Sequence, residues 1–230
     1  MRAVAIIPAR AGSVGIPGKN LRRVGGVPLV VRTIRVASQV PSIVRIVVST
    51  DSPRIAELAR RNGADVPFLR PPVLAGDEAS TASVVEDAVV RLEEMGDAVE
   101  TLITMQPTSP FCRPQTVTRA IGLLDEESVD SVATVTSLGM AASVIGTIDG
   151  DRLVRCLSQP GDARRQASPP AVRLTGAVYV SRRDLVGTGA LLGDRPRFVM
   201  TEGPEALDID TPADLALARR WARTMLVSAE

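Results

Sequence analysis

The sequence predicts an α/β fold built on a doubly wound, mostly parallel sheet, with a small hairpin excursion. Short apolar runs alternate with amphipathic stretches in the N-terminal part of the chain, which is the rhythm of β–α–β units. The apolar runs are continuous, as expected for strands covered on both faces. With 230 residues, 45% of them hydrophobic, the chain has the size of one such domain.

Each element is assigned from its own pattern. The predicted strands are 4–7, 45–49, 101–105 and 131–136, followed by a return to the sheet at 174–180. The predicted helices are 29–38, 53–62, 82–94, 114–125 and 212–225. Asn62-Gly63 ends the second helix and Pro114 opens the fourth. Ligands of such sheets bind at the carboxyl ends of the strands, where we expect three loops to converge: 8–20, 49–51 with 70–81, and 106–113.

Residues 137–170 interrupt the alternation. Two short apolar segments around an Asp149-Gly150 turn predict a hairpin over 145–156, and a polar stretch rich in Pro, Gly and Arg follows at 158–170. The chain has no repeat and no linker long enough to separate a second domain. We therefore expect a single domain over the whole chain, in which the excursion is an irregular lid or a dimerisation arm. We favour the arm and a homodimer.

Composition and charge exclude several classes of function. The net charge is +1 with a pI near 7.8, so bulk charge predicts neither nucleic-acid nor membrane association. No signal-type N-terminus or long apolar stretch is visible, and we expect a cytoplasmic protein with Cys112 and Cys156 reduced. The absence of histidine excludes Ser-His-Asp and Cys-His catalysis. Chemistry must then rest on carboxylates, Arg, Lys, hydroxyls, backbone amides and a hard metal ion.

A glycine-rich loop follows the first strand and contains Lys19, the only lysine of the chain. The loop, IPARAGSVGIPGKN (7–20), combines small residues with Arg10 and Lys19. Backbone N–H groups can approach an anion where side chains are small or absent, and the two cations suit phosphate oxygens. The loop therefore predicts a polyphosphate site. A surface turn with solvated charges is the alternative.

Asp208 and Asp210 lie two residues apart in LDIDTP (207–212) near the end of the chain. Side chains at i and i+2 of an extended segment share a face, and hard carboxylate oxygens suit Mg²⁺ shared with substrate phosphates. Alternatively, Asp210 or Thr211 caps the helix that begins at Pro212. The two roles are compatible, because Asp210 can bind a metal while Thr211 caps.

Four further motifs occur in order: VVSTDS (47–52), FLRPPVLAGDEAST (68–81), QPTSPF (106–111) and RRQASPPAVRLTGAVYV (164–180). Together with the loop and the aspartate pair, they resemble the acylneuraminate cytidylyltransferases, or CMP-sialic acid synthetases, and their KDO-activating relatives. The resemblance covers nearly the whole chain. It implies a Rossmann-like nucleotidyltransferase that transfers CMP from CTP to an acidic acceptor with Mg²⁺ and releases pyrophosphate.

The resemblance also implies roles for individual residues. On the nucleotide it implies Ala9, Arg10, Ser13, Lys19, Asn20, Arg70, Ala79, Thr81 and Gln106. Arg10, Lys19, Asp208 and Asp210 would be catalytic, the two aspartates also as Mg²⁺ ligands. On the acceptor it implies Gln106, Arg165, Thr175 and Tyr179. An Arg at 70 suits cytosine O2 and N3, although Arg70 and Arg165 can also be ordinary exposed residues, and Gln106 part of a rigid turn.

The acceptor side departs from the family pattern. The usual His-Pro-containing patch is Ser137–Ala142 here, and the usual Asn-Gly-Ala is Thr175–Ala177. These changes remove groups that would recognise a polyhydroxylated acid. A nonulosonic (sialic-type) acid remains the expected acceptor, with a phosphonate or another small acid as the alternative. A non-catalytic nucleotide-binding protein on this fold is disfavoured, because Lys19, Asp208 and Asp210 are all present.

Overall fold

The structure is a computed structural model that describes residues 2–149, 152–155 and 169–227. The elements follow in the order β1 (Ala3–Pro8), β2 (Arg23–Val24), β3 (Val27–Pro28), α1 (Leu29–Ala37), β4 (Ile43–Ser49), α2 (Pro53–Arg61), α3 (Thr81–Glu94), β5 (Thr101–Met105), α4 (Pro114–Leu124), β6 (Ser131–Ala141), β7 (Gly146–Asp149), β8 (Arg152–Arg155), β9 (Pro170–Arg182), β10 (Pro196–Met200) and α5 (Pro212–Val227). Short 3₁₀ turns connect several of them.

Six strands form the main sheet in the order β10-β6-β9-β5-β1-β4. Pairing is parallel between β1 and β4, β1 and β5, and β10 and β6, whereas β9 is antiparallel to both of its neighbours. The predicted mostly parallel α/β sheet is therefore confirmed. The strands β7 and β8 pair as the predicted hairpin, whose turn residue Gly150 lies outside the described residues.

The predicted helix ends agree with the structure to within two residues, whereas two features of the strands were not predicted. The β2–β3 ladder was not predicted because each of its strands has only two residues. The strand β10 was not predicted because its sequence, PRFVM, is mostly exposed and lacks the continuous apolar run of the other strands. The strands β6 and β9 extend into the predicted excursion and pair as far as Ala141 with Pro170. None of the described helices is long and apolar enough to cross a membrane.

Helices cover both faces of the sheet, as the continuous apolar strands require. Along β1, Ala5 and Ile7 belong to the core cluster that includes residues of α1, α2 and α4. Val4 and Ile6 belong to a second cluster, shared with α3. A third cluster packs α5 against the glycine-rich loop, with Ile16 of the loop beside Ile209. The ends of the chain are thereby held together at the carboxyl end of β1.

A buried hydroxyl bridges an irregularity in the pairing of β6 with β9. The register shifts between Ala133 and Val135, and Thr134 lies between them. The Val178 N–H donates to Thr134 Oγ1 over 3.1 Å, and Thr175 Oγ1 lies 2.7 Å from the same oxygen. The hydroxyl of Thr134 thus bonds a backbone group that a regular ladder would have paired.

We predict that Thr134→Val destabilises the protein although the side chain keeps its shape. The Val178 N–H is buried and would lose the partner at Thr134 Oγ1, which costs about 1–3 kcal/mol. For a protein of this size each kcal/mol lowers the Tm by about 2–4 °C. Thermal unfolding followed by circular dichroism measures the change. Thr136→Val is the matched control, and equal Tm values for the two variants would contradict the role of Thr134.

Candidate active site

A cleft of about 270 Å³ lies where the loops that follow β1 and β5 meet the segment before α3 and the aspartate segment before α5. It is where a doubly wound sheet is expected to bind a ligand. The structure brings together ten of the residues predicted from the sequence, which are Arg10, Ser13, Lys19, Asn20, Arg70, Ala79, Thr81, Gln106, Asp208 and Asp210. Ala9, Thr175 and Tyr179 do not line this cleft, and Arg165 lies outside the described residues.

Lys19 ties the glycine-rich loop to the aspartate segment. Its Nζ donates to the carbonyl of Ile209 over 2.9 Å and to Asp210 Oδ1 over 3.0 Å. The two segments also touch at Gly15, where a Cβ would lie 2.4 Å from the carbonyl oxygen of Asp210. Glycine is therefore required at position 15, because a side chain there would push the loop away from Asp210.

Arg10 bridges the cleft between two loops. Its Nη2 lies 2.6 Å from Asp77 Oδ1, and its Nη1 donates to the Ala75 carbonyl over 3.3 Å. Asn20 is buried and donates to the Arg10 carbonyl over 2.9 Å, which fixes the backbone from which the arginine projects. Opposite it, the Ala11 N–H donates to Asp51 over 2.8 Å, so the β4–α2 connection anchors the loop without lining the cleft.

Arg70 is a buried cation whose guanidinium is held on three sides. Its Nε donates to Ser49 Oγ over 3.1 Å, its Nη2 to the Ser49 carbonyl, and its Nη1 to the Leu74 carbonyl over 3.4 Å. Burial lowers the pKa of Arg70 to about 10, so it is still charged at neutral pH. Of the five N–H groups of a guanidinium, two are left to bind a ligand in a fixed orientation.

Asp208 carries a buried oxygen that no group of the described residues satisfies. Its Oδ1 has no hydrogen-bond partner there. Burial, the largest cause, and the charge of Asp210 raise the pKa of Asp208, against the opposing effects of Thr108, Lys19 and Arg173. An unsatisfied, half-buried carboxylate is costly in the folded protein unless a cation binds to it.

The helix cap proposed from the sequence is present at Thr211. Thr211 Oγ1 accepts from the Asp214 N–H over 3.2 Å, and Asp214 Oδ2 accepts from the Thr211 N–H over 2.8 Å. This reciprocal pair is a capping box at the start of α5. Asp210 gives only its backbone N–H to Asp214, over 3.2 Å, and its carboxylate stays on the cleft.

Two of the predicted site residues, Ala9 and Thr175, do not face the cleft, and Arg165 stays a prediction. Ala9 is fully buried and continues the pairing of β1 with β4, its N–H donating to the Ser49 carbonyl over 2.9 Å. Thr175 is fully buried too, and its hydroxyl bonds Thr134, so it points into the fold instead of towards an acceptor. Arg165 lies outside the described residues.

Tyr179 is half-buried on β9, next to the aspartate segment. Burial and then the charge of Asp208 raise its pKa. The same strand approaches Gln106, because a Cβ at Gly176 would lie 2.8 Å from Gln106 Oε1. Gly176 has a positive φ of 74°, which glycine adopts without strain. Gln106 and Asp208 thus lie together beside Gly176, and the charge of Asp208 reaches Tyr179 on the same strand.

Two polar side chains of the cleft were not assigned from the sequence, Asp77 and Thr108. Asp77 lies within the 68–81 motif. The sequence signal that could have identified it is an acidic residue in a loop that was expected to converge with the cations of the glycine-rich loop. Thr108 bonds Asp208 through its side chain and accepts the Ile209 N–H at its carbonyl over 2.8 Å. No sequence signal distinguishes it from the other hydroxyl of the QPTSPF motif.

The charges that line the cleft are balanced. Three cations, Arg10, Lys19 and Arg70, face three carboxylates, Asp77, Asp208 and Asp210. Two of the cations are already paired, Arg10 with Asp77 and Lys19 with Asp210. A highly charged anion such as a triphosphate would therefore need these pairs to rearrange or an additional cation to bind with it.

Comparison with known proteins agrees with this geometry. The sequence model of a family described as Cytidylyltransferase matches residues 4–167. The chain is 34% identical to the CMP-N,N'-diacetyllegionaminic acid synthase of Legionella pneumophila over 96% of both chains. It is 29% identical to N-acylneuraminate cytidylyltransferase A of Danio rerio over 94% of this chain and 50% of that one.

A solved structure has the same fold. The structure of CMP:2-keto-3-deoxy-manno-octonic acid synthetase complexed with CTP aligns with a TM-score of 0.72 at 21% identity, over 98% of this chain and 100% of that one. Because the two sequences are only 21% identical, the structural similarity supports the fold alone. The family match and the Legionella relative show that the chain belongs to the cytidylyltransferase family, whose members are enzymes that transfer a cytidylyl group from CTP.

Proposed function

We propose that the enzyme transfers CMP from CTP to a nonulosonic acid and releases pyrophosphate. The observation that carries the proposal is the convergence of Arg10, Lys19 and Arg70 with Asp208 and Asp210 in one cleft. The 34% identical relative, named as a synthase of a CMP-activated legionaminic acid, supports this class of acceptor. We also propose a cytoplasmic enzyme, which the use of CTP and the two-cysteine composition support.

The nucleotide would bind along the two loops that Arg10 bridges. Arg10 and Lys19 would bind phosphate oxygens once released from Asp77 and Asp210, with Ser13 beside them. The two free N–H groups of Arg70 would donate to cytosine O2 and N3. A carbonyl in the Ala79 region would accept the exocyclic amine, and Thr81 would lie near the ribose. Uracil would present an oxygen to that carbonyl, so the arrangement favours cytosine.

The aspartate pair fits Mg²⁺. The unsatisfied Oδ1 of Asp208, the neighbouring Asp210 and the balanced charges of the cleft are all features that a divalent cation would compensate. We propose that Asp208 and Asp210 hold the ion together with triphosphate oxygens. When bound, the ion would neutralise charge on the phosphates.

The reaction itself requires little covalent chemistry from the protein. A hydroxyl oxygen of the acceptor attacks the α-phosphorus and its proton passes to solvent, while the bond between the α-phosphorus and the oxygen that bridges to the β-phosphate breaks and pyrophosphate leaves. Arg10 and Lys19 would bind the charge that develops on the phosphates, while Arg70 fixes the base. Gln106, held against Gly176, and Tyr179 would orient the acceptor next to Asp208. Arg165 is a further proposed acceptor contact. The protein thus contributes mainly positioning and charge neutralisation.

We propose that the whole chain is one domain and that two copies form a homodimer through the extended part of β6 and β9. Met140, Val172 and Leu174 are exposed there, which is unusual for three large apolar side chains so close along a paired ladder. Small-angle scattering measures the solution mass, and a monomeric mass would contradict the dimer.

We predict that Asp208→Asn stabilises the metal-free protein and removes activity. Burial raises the pKa of Asp208, so its ionised form costs stability once the pH exceeds that pKa, and a neutral amide removes the cost. Each kcal/mol regained raises the Tm by about 2–4 °C. Added Mg²⁺ should raise the Tm of the wild type and not that of the variant. Turnover should fall at least ~100-fold.

The exposed Asp184 provides the control for this prediction. Asp184→Asn changes the same functional group outside the cleft, so its Tm, its response to Mg²⁺ and its turnover should match the wild type. If Asp208→Asn kept both the Mg²⁺-induced rise in Tm and normal pyrophosphate release, the metal assignment would be wrong.

We predict that Asp77→Asn tightens the binding of CTP. Asp77 competes with phosphate for Arg10 in the free enzyme, and an exposed ion pair of this kind is worth about 0.2–1 kcal/mol. The Kd for CTP, measured by calorimetry without acceptor, should fall up to about fivefold. Glu78→Gln removes the same charge from the adjacent exposed residue and should leave the Kd unchanged. Weaker binding in Asp77→Asn would mean that Asp77 helps to hold the nucleotide.

The proposed acceptor is tested by pyrophosphate release with CTP and Mg²⁺ against legionaminic-type and sialic-type acids, KDO and simple phosphonates. We expect turnover with at least one nonulosonic acid. Turnover with a phosphonate alone would show that the acceptor is not a nonulosonic acid. The transfer of CMP from CTP would still hold. CTP binding without turnover for every acceptor would argue against catalysis.

A further inference from the structure

We propose that a second cavity, separate from the nucleotide cleft, binds a small organic phosphate with a flat or apolar body and regulates the enzyme. The cavity has a volume of about 320 Å³, and its lining includes Arg32, Arg35, Phe111, Arg113, Glu205 and Met225. We call it the arginine cavity. It shares no lining residue with the nucleotide cleft.

The charge of the arginine cavity favours an anion. Its lining contains three guanidinium groups and one carboxylate, which gives a net charge of +2. The carboxylate, Glu205, is buried and already accepts from the Arg113 N–H over 3.1 Å and from the Thr116 hydroxyl. In the described part of the chain, neither Arg32 nor Arg35 is paired with a carboxylate. The excess matches the charge of a phosphate monoester dianion.

Arg32 is positioned to receive the anion. Its Nε donates to the Pro110 carbonyl over 2.8 Å and its Nη1 to the Val24 carbonyl over 3.2 Å. These bonds orient the guanidinium, and its Nη2 has no hydrogen-bond partner among the residues that the structure describes. Arg35 lies one helical turn further along α1, and burial together with the charge of Arg35 lowers the pKa of Arg32. The two like charges repel each other, and an anion bound to both would relieve this repulsion.

The other walls of the cavity favour a flat or apolar group next to the phosphate. Phe111 is buried, and the Arg32 guanidinium carbon lies 5.6 Å from the centre of its ring. Val27 and Met225 add apolar surface. A bare inorganic phosphate would leave this surface wet, whereas an organic phosphate would cover it.

The loop that connects β5 to α4 links the two sites. Thr108, on the nucleotide cleft, bonds Asp208, while Pro110 in the arginine cavity accepts from Arg32. Glu205 provides a second connection. It lies three residues before Asp208 in the sequence, and its carboxylate accepts a hydrogen bond from the Arg113 N–H. An anion that engages Arg32 and Arg113 would act on both connections. The proposal that an organic phosphate binds in the arginine cavity does not depend on the proposed function. The proposal that this binding changes turnover does depend on the proposed function.

The single tryptophan of the chain gives a direct reporter of binding. The Trp221 ring lies 6.2 Å from the Phe111 ring, so a ligand against Phe111 should change tryptophan emission. We use phenyl phosphate as the probe and phenol as its uncharged counterpart. We expect a saturable change with phenyl phosphate and none with phenol. Arg35→Glu should raise the Kd at least ~10-fold, which is about 1.4 kcal/mol.

Two variants separate the arginine cavity from other sites. Lys19→Ala disables the nucleotide cleft and should bind phenyl phosphate like the wild type. Arg54→Glu makes the same charge change outside the cavity and should also bind normally. Circular dichroism checks that all three variants are folded. Phenyl phosphate should also change the kcat of the wild type and not that of Arg35→Glu.

Several results would overturn the proposal. They are the absence of saturable binding to the wild type, unchanged binding to Arg35→Glu, loss of binding in Lys19→Ala, and equal weakening in Arg54→Glu. Binding to the cavity without any effect on kcat would overturn the regulatory part. If no acceptor supports turnover, the fluorescence titrations still decide whether the cavity binds the probe, so the two failures can be told apart.

Discussion

The contact between the glycine-rich loop and the aspartate segment is the constraint on which the nucleotide cleft depends. Lys19 bonds a carbonyl and a carboxylate 190 and 191 positions away in the sequence, and Gly15 lies directly against the same backbone. Beneath this contact, Ile16 and Ile209 pack in the apolar cluster of α5. The cations and the carboxylates of the cleft therefore cannot move independently, and the local charge balance is built into the fold.

This balance explains how a polyanion site can exist in a protein of nearly neutral charge. Two of the three cations, Arg10 and Lys19, form ion pairs with carboxylates on facing loops and not a free positive patch. A ligand gains phosphate contacts only by breaking pairs of similar strength, so net affinity depends on geometry and on any accompanying cation. Such a cleft discriminates against anions that satisfy only one of the loops.

Much of the fold and part of the site could be predicted from the sequence, because their signals are local. Helix boundaries follow Pro53, Pro114 and Pro212, and the strands are continuous apolar runs. The motif residues that converge on the cleft follow strands whose carboxyl ends share an edge. The orientation of Thr175 could not be predicted in this way, because it depends on the register shift at Thr134.

Features that depend on distances across the fold were also missed. The pairing of Asp77 with Arg10 exists because two loops, 67 residues apart in the sequence, end at the same edge of the sheet. The short strand β10 is visible only through its partner β6, to which it is parallel over five residues. In both cases the deciding information lies in tertiary contacts and not in the local pattern.

The capping box of α5 separates the start of the helix from the lining of the cleft, two roles that Asp210 alone could have filled. Thr211 and Asp214 start the helix with their own side chains, and the Asp210 carboxylate takes no part in it. Position 210 is thus released from capping the helix, so a substitution there would change the contact with Lys19 while the start of α5 persists. The wall of the cleft can vary in its charge at this position without a change in the helix that carries it.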